Sequence, residues 1–153
     1  MSVNRSRDLL PLLVMLESVE KILLYAEGFE TAEDFLWADD QVRFNASLLL
    51  LSNIGEHIGK ISDETRSVYP NFPWKSIRGL RNRIAHDYTG IDYEMVFDIV
   101  SCHIPPLKIS LEAIIKEGLS HDFFDKNEVR VAKDSVFYKH IHFELFDLQW
   151  PDE

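Results

Sequence analysis

The stretch Pro73-Trp74-Lys75-Ser76-Ile77-Arg78-Gly79-Leu80-Arg81-Asn82-Arg83-Ile84-Ala85-His86-Asp87-Tyr88 decides how this chain is read. Proline suits the first position of a helix, where its missing N–H costs nothing. On that helix Arg78, Asn82 and His86 are spaced by four and share a face. Arg81 lies about 100° round from Asn82, and its long side chain still reaches a phosphate near His86. From Thr65 to His86 the sequence carries five basic residues (Arg66, Lys75, Arg78, Arg81, Arg83) and no acidic one, although the chain's formal net charge is −10. An acidic protein with one purely cationic stretch has concentrated attraction where an anion binds.

These residue types suit cleavage of a phosphodiester. Metal-free RNA cleavage needs a base for the ribose 2′-hydroxyl, cations for the crowded phosphorane and an acid for the leaving 5′-oxygen. His86, with an unperturbed pKa of about 6.5, serves as base or acid near neutrality. Arg81 offers a planar fork that stays charged, and Asn82 orients either partner. Arg78, Arg83 and Lys75 are candidates for holding RNA phosphates. One histidine per chain is too few for both proton roles, and a two-fold dimer pairing two such helices would supply the second.

Upstream and downstream the pattern is helical. Leu9, Leu12, Leu13, Leu16, Val19, Leu23 and Leu24 recur at three- and four-residue steps, with Asp8 as cap, Pro11 in the first turn and Gly28 closing the segment. Thr31 and Asp34 open a second helix expected to run to about Lys60, carrying Gly55 and Gly59 on one side for a close-packed neighbour. Asp92 caps a further helix with Val96, Ile99, Val100, His103 and Leu107 as its core stripe. Pro105 and Pro106 must kink or interrupt it, and the helical pattern ends at Gly118. Seven of the eighteen aromatic residues fall after position 122, and the alternation of Phe137, Ile141, Phe143 and Leu145 reads as a strand between 136 and 145. The expected organisation is a helical domain over 1–118 and an extension over 119–153.

Length and composition bound the rest. At 153 residues with 46% apolar content, the chain has one sizeable core and is not globally disordered. A single cysteine, Cys102, excludes an internal disulfide and is expected to be buried and inert. The polar start and the lack of a long apolar run predict a cytoplasmic protein with no membrane span. Acidity argues against a broad duplex-binding face but leaves room for a small cationic site.

Arg81-x4-His86-x-Tyr88 resembles the RX4HXY motif of the HepT-like toxins, all-helical ribonucleases of the HEPN superfamily. The flanks extend the likeness over roughly 8–118. Ser52-Asn53-Ile54-Gly55-Glu56 is similar to the family's second-helix signature, residues 73–83 to the lead-in of its catalytic helix, and Asp92-Tyr93-Glu94 with Asp98-Ile99-Val100 to the segment that follows. The resemblance implies an all-α, HEPN-type bundle of four or five helices, homodimeric, with the ribonuclease site at the dimer interface. It implies cleavage of tRNA or mRNA without a metal or other cofactor, by Arg81 and His86 with Asn82. It also implies a cognate MntA-type nucleotidyltransferase antitoxin that AMPylates Tyr88, a bulky anion that would block RNA by sterics and repulsion. Asp87 departs from the family, where glycine is frequent; it either raises the proton affinity of His86 or weakens phosphate binding. The extension has no counterpart in short family members and is expected to pack across the dimer or on the antitoxin through Phe137, Tyr138, Phe143, Phe146 and Trp150.

Other residues carry weaker signals. Glu56 is placed to pair with Arg81 or Arg83, in a structural or supporting role, and His57 is expected to face solvent. His103 is expected in the core, as are Trp37 and Trp74, with Trp74 also placed to border an RNA groove. His140 and His142 have the spacing of a metal pair but lack a third ligand. Two rival readings stand beside the toxin: a non-catalytic helical subunit that binds nucleotide or a partner nucleotidyltransferase, and a purely structural dimerisation module.

Overall fold

The computed structural model describes residues 6–85 and 90–146, without the side chains of residues 81 and 85. All regular structure among these residues is helical. Three long helices form the frame: α1 (Leu9–Ala26), α3 (Val42–Ile58) and α8 (Ile104–Ser120), with α1 packed against both others. Leu9, Leu12, Leu13, Leu16 and Val19 are buried as the spacing predicts, with Met15 and Ile22 beside them. Leu24 falls off the stripe and is 49% exposed. Gly28, at φ 84°, makes the left-handed turn that ends this segment.

The Asp8 side chain does not cap α1. The residue occupies the N-cap position, but its carboxylate turns away from α1 to accept from Thr65 Oγ1 and Ser62 Oγ, both at 2.5 Å, and from the Ser62 amide at 3.2 Å. Ser62 in turn caps α4 (Asp63–Val68) through the Thr65 amide. One buried carboxylate therefore locks the start of α1 to the start of α4.

The single helix expected over 31–60 is broken. The Thr31 hydroxyl caps α2 (Ala32–Trp37) at the Asp34 amide, as predicted. Asp39, Asp40 and Gln41 then adopt left-handed conformations before α3 begins. Packing explains the break. Phe35 and Phe44 are nine residues apart, about two and a half turns, so one straight helix would point them to opposite sides. The turn brings both into the core, with ring centroids 6.1 Å apart and Phe29 and Phe97 flanking Phe35. Arg43 secures the turn through Asp39 (2.6 Å) and the Tyr25 carbonyl (3.1 Å). Trp37, expected in the core, ends α2 on the outside and is 61% exposed.

Asp92 caps α7 (Tyr93–Asp98) at the Met95 amide, as predicted. A π-helical turn, Ile99–His103, joins α7 to α8, and Pro105 lies in the first turn of α8, where proline is tolerated. The wide turn shifts the buried register by one residue. Ile104 is buried where a regular helix would have buried His103, which is exposed, as is Cys102. Both core expectations are therefore corrected by the same local unwinding.

The helix carrying Gly118 continues to Ser120, and Gly118 is instead the point where the chain folds back. Its carbonyl accepts from the Phe123 and Phe124 amides, and the fully buried Phe124 ring fills the space a Cβ would take, 2.3 Å away. Helix α9 (Lys126–Lys133) and two short helical turns, Val136–Tyr138 and Phe143–Phe146, follow. The strand expected over 136–145 does not form. A strand needs a ladder partner for its amides, and an all-helical body provides none. The segment meets its needs locally: Tyr138 donates to Ser135, Ile141 to Tyr138 and Leu145 to His142. The His140 amide donates to both Glu17 oxygens at 3.0 Å, and its imidazole lies 2.5 Å from the same carboxylate. Ile141, Phe143 and Phe146 are buried against the chain's own core, with Tyr138 partly so, rather than held out for another chain. Phe137 is 78% exposed, and Trp150 lies outside the described residues.

Candidate functional site

The cationic stretch forms two short helices, α5 (Trp74–Arg78) and α6 (Leu80–Ala85). Pro73 stands at the N-cap position of α5, and Gly79 keeps right-handed helical angles between the two. Gly79 donates to the Lys75 carbonyl and Arg83 to that of Gly79, so the pair continues in nearly one direction. Apolar anchors fix its orientation. Ile77 and Leu80 are buried, and Trp74 packs on Phe72 at 4.2 Å while its indole donates to the Tyr69 carbonyl at 2.9 Å. Lys75, Arg78, Asn82 and Arg83 are left on the outside.

These polar residues do not share one surface. Arg78 and Asn82 meet Lys60, Glu56, Gly55 and Gly59 around an open cavity of about 500 Å³ between α6 and the end of α3. The two glycines form part of its wall and leave room for a ligand. A Cβ on Gly59 would stand 3.3 Å from the Glu56 carbonyl, so its own helix limits that position rather than a neighbour. Two cations and an amide around a small-residue wall can grip an anion with planar or tetrahedral oxygens. Lys60 was missed by sequence reasoning, although its place beside the glycine pair was the available signal. Arg83 faces the other way, towards His103 and α8, and Lys75 lines neither cavity. Arg66 is spent on structure: its guanidinium donates to the Ile58 carbonyl at 3.1 Å, at the negative end of α3.

His86, Asp87 and Tyr88 lie outside the described residues, as does the side chain of Arg81. The backbone of α6 carries Arg81 between Leu80 and Asn82, one step from the cavity. His57 is half-buried, with Nδ1 2.8 Å from the Asn53 carbonyl, rather than fully in solvent. His140 is engaged by Glu17, and His142 lies 3.7 Å from Glu20 and 3.3 Å from Glu144. Among the described residues no group of three or more His, Cys, Asp or Glu side chains is arranged to hold a metal ion. No described helix is long and apolar enough to cross a membrane.

Known proteins share this architecture's sequence. The chain is 32% identical over 103 residues to "Putative RNase MJ1216" of Methanocaldococcus jannaschii, covering 67% of this chain and 83% of that one. A second protein of that organism, "Putative RNase MJ0125", is 38% identical over 72 residues, 47% of this chain and 62% of that one. "Probable ribonuclease HepT" of Thermococcus cleftensis is 32% identical over 84 residues, 55% of this chain and 74% of that one. No solved structure matches the chain. The profile of the family described as ribonuclease HepT-like matches residues 15–114, which run from within α1 through most of α8 and include the whole cationic stretch. The chain belongs to the ribonuclease HepT-like family.

Proposed function

We propose that this protein is a metal-independent endoribonuclease, the toxin of a type VII-like toxin–antitoxin pair acting in the cytoplasm on tRNA or mRNA. The observation that carries the reading is the cavity where Arg78, Asn82 and Lys60 converge, beside the backbone of Arg81 and four residues before His86. Arg81 and Arg78 hold the scissile phosphate, and Asn82 fixes the orientation of the attacking or leaving oxygen. His86 takes the 2′-hydroxyl proton, and a second His86 across a two-fold axis returns one to the 5′-oxygen. Exposed Val42 and Leu49, seven apart on α3 and so on one face, offer this dimer an apolar seam along α3. A partner nucleotidyltransferase silences the site by placing AMP on Tyr88, setting a bulky anion where the RNA phosphates belong. Names of the relatives support RNA as substrate; chemistry of the cationic pocket supports a phosphodiester.

Purified protein incubated with total tRNA in EDTA, beside a His86→Ala variant shown to be folded by circular dichroism, tests this. Intact mass on the same sample reports whether Tyr88 already carries AMP. Cleavage by unmodified wild type alone is the expected result. Absence of cleavage by unmodified, folded wild type on both tRNA and mRNA would replace the enzyme with a nucleotide-binding or partner-binding subunit.

A further inference from the structure

Arg83 marks a second site on the other side of α6. It points about 100° round the helix from Asn82 and lines a separate cavity of about 250 Å³, closed opposite by His103 and the first turn of α8. The floor is apolar, made by Ile77, Leu80, Ile104 and Leu107, all buried. The exposed Arg83 and His103 also line it, together with Ser76 and Ser110. Among the described residues no lining side chain is acidic. Asp98 lies 3.8 Å from His103 Nε2, and both side chains are mostly in solvent, so this contact holds the imidazole only weakly.

We propose that this cavity seats one nucleobase of a bound RNA, across α6 from the phosphate held in the Arg78–Asn82 cavity. It rests on the RNA reading above and adds where base selectivity resides. An unstacked base presents two apolar faces and a polar rim, and proteins that read single-stranded RNA stack such bases on imidazole or guanidinium planes and bond their edges. The cavity offers all of these: an apolar slot, one guanidinium, one imidazole and two hydroxyls. Its volume lies below the roughly 300–1,000 Å³ typical of sites for larger ligands, which fits a single base with its ribose left outside. Arg83 then serves twice, by stacking and by attracting the adjacent phosphate. A carboxylate or aromatic peptide side chain would also engage the planar cation, but a nucleotide presents a stacking face and a phosphate together and so uses the slot and the charge at once. The strand would straddle α6, with phosphate on one side and base on the other.

Titration calorimetry with AMP, GMP, CMP and UMP, each compared with ribose 5-phosphate, isolates the contribution of the base. At least one nucleotide should bind about tenfold more tightly than ribose 5-phosphate, the margin expected for one stacked base. Ser76→Leu, which fills the mouth from an exposed position without adding a stacking plane, should erase that margin. His103→Ala, at an exposed position where misfolding is not a concern, should reduce it. Arg78→Ala should weaken nucleotide and sugar phosphate alike and leave their ratio intact. Equal binding of nucleotides and ribose 5-phosphate, or a margin that survives both Ser76→Leu and His103→Ala, would overturn the proposal. Base-dependent binding without tRNA cleavage would keep this site and remove the ribonuclease; cleavage with no base margin would do the reverse.

Discussion

The α5–α6 pair and the C-terminal fold-back are held to the same core by opposite means. The pair rests on a few apolar anchors, Ile77, Leu80 and Trp74, and turns its charged residues outward. The fold-back from Gly118 buries Phe124, Ile141, Phe143 and Phe146 and is pinned by a buried carboxylate, Glu17, on the His140 amide and ring. A surface that must meet a ligand stays open and contributes little to stability, whereas a segment that closes the core contributes much and lines neither cationic cavity. Substitutions in the two regions should therefore separate stability from activity.

The largest effect should come from the fold-back. Phe124→Ala empties a fully buried site and should cost about 3–5 kcal/mol in urea unfolding. Gly118→Ala drives a methyl into the Phe124 ring and should cost about 1–3 kcal/mol. In the Phe124→Ala background the same glycine change should cost far less, because the ring it strikes is gone, and a double-mutant cycle measures that coupling. Additive losses would mean that the two positions do not meet. Next in size, Glu17→Ala strands the His140 amide and its ring and should cost about 2–3 kcal/mol. For all of these, RNA cleavage per folded molecule should stay near that of wild type, and a selective loss of activity would tie the fold-back to the site.

On the other side of the comparison, Arg78→Ala and Asn82→Ala remove exposed groups and should shift stability by no more than about 0.5 kcal/mol. Arg78→Ala should nevertheless weaken RNA binding about tenfold and flatten its salt dependence by about one charge, as read by filter binding across a salt series. An unchanged salt slope would place Arg78 outside the phosphate path.

How much of each region could be read beforehand follows from the range of the forces involved. The caps at Thr31 and Asp92 are local, and the structure agrees with them, whereas the single helix read from Pro73 through Arg78 is divided at Gly79, with Pro73 at the N-cap. The break at Asp39–Gln41 depends on Phe35 and Phe44 having to face one core, information carried by tertiary packing. The extension's alternation was real, but whether alternation becomes a strand depends on a partner edge, and here Glu17 and local turns took the amides instead. His103 moved from core to surface because one π turn shifted the register. At the candidate site, Arg78 and Asn82 line one cavity as their four-residue spacing suggested, and Glu56, expected to pair with Arg81 or Arg83, lines the same cavity. Arg83 was assigned to the same phosphate path, yet its 100° offset sends it to a different cavity.

The smallest predicted effect tests whether the fold-back carries any cost of its own. Glu128 sits in the first turn of α9, where the helix dipole favours a carboxylate. Its Oε2 is nevertheless buried without a hydrogen-bond partner among the described residues. Desolvation, reinforced by Asp125, outweighs the dipole and raises its pKa above the ordinary value. A raised folded-state pKa means that the folded chain holds this proton more tightly than the unfolded chain. The ionised carboxylate is therefore a cost at neutral pH, and the cost fades as pH falls through the folded pKa towards the unfolded one. Glu128→Gln should stabilise the protein at pH 7 by only a few tenths of a kcal/mol, since much of the carboxyl still meets solvent. Near pH 3, below the usual carboxylate range of about 4, wild type and variant should melt together. A variant less stable than wild type at pH 7 would mean that the ionised carboxylate holds α9 in place, and the fold-back would then carry a second electrostatic pin beside Glu17.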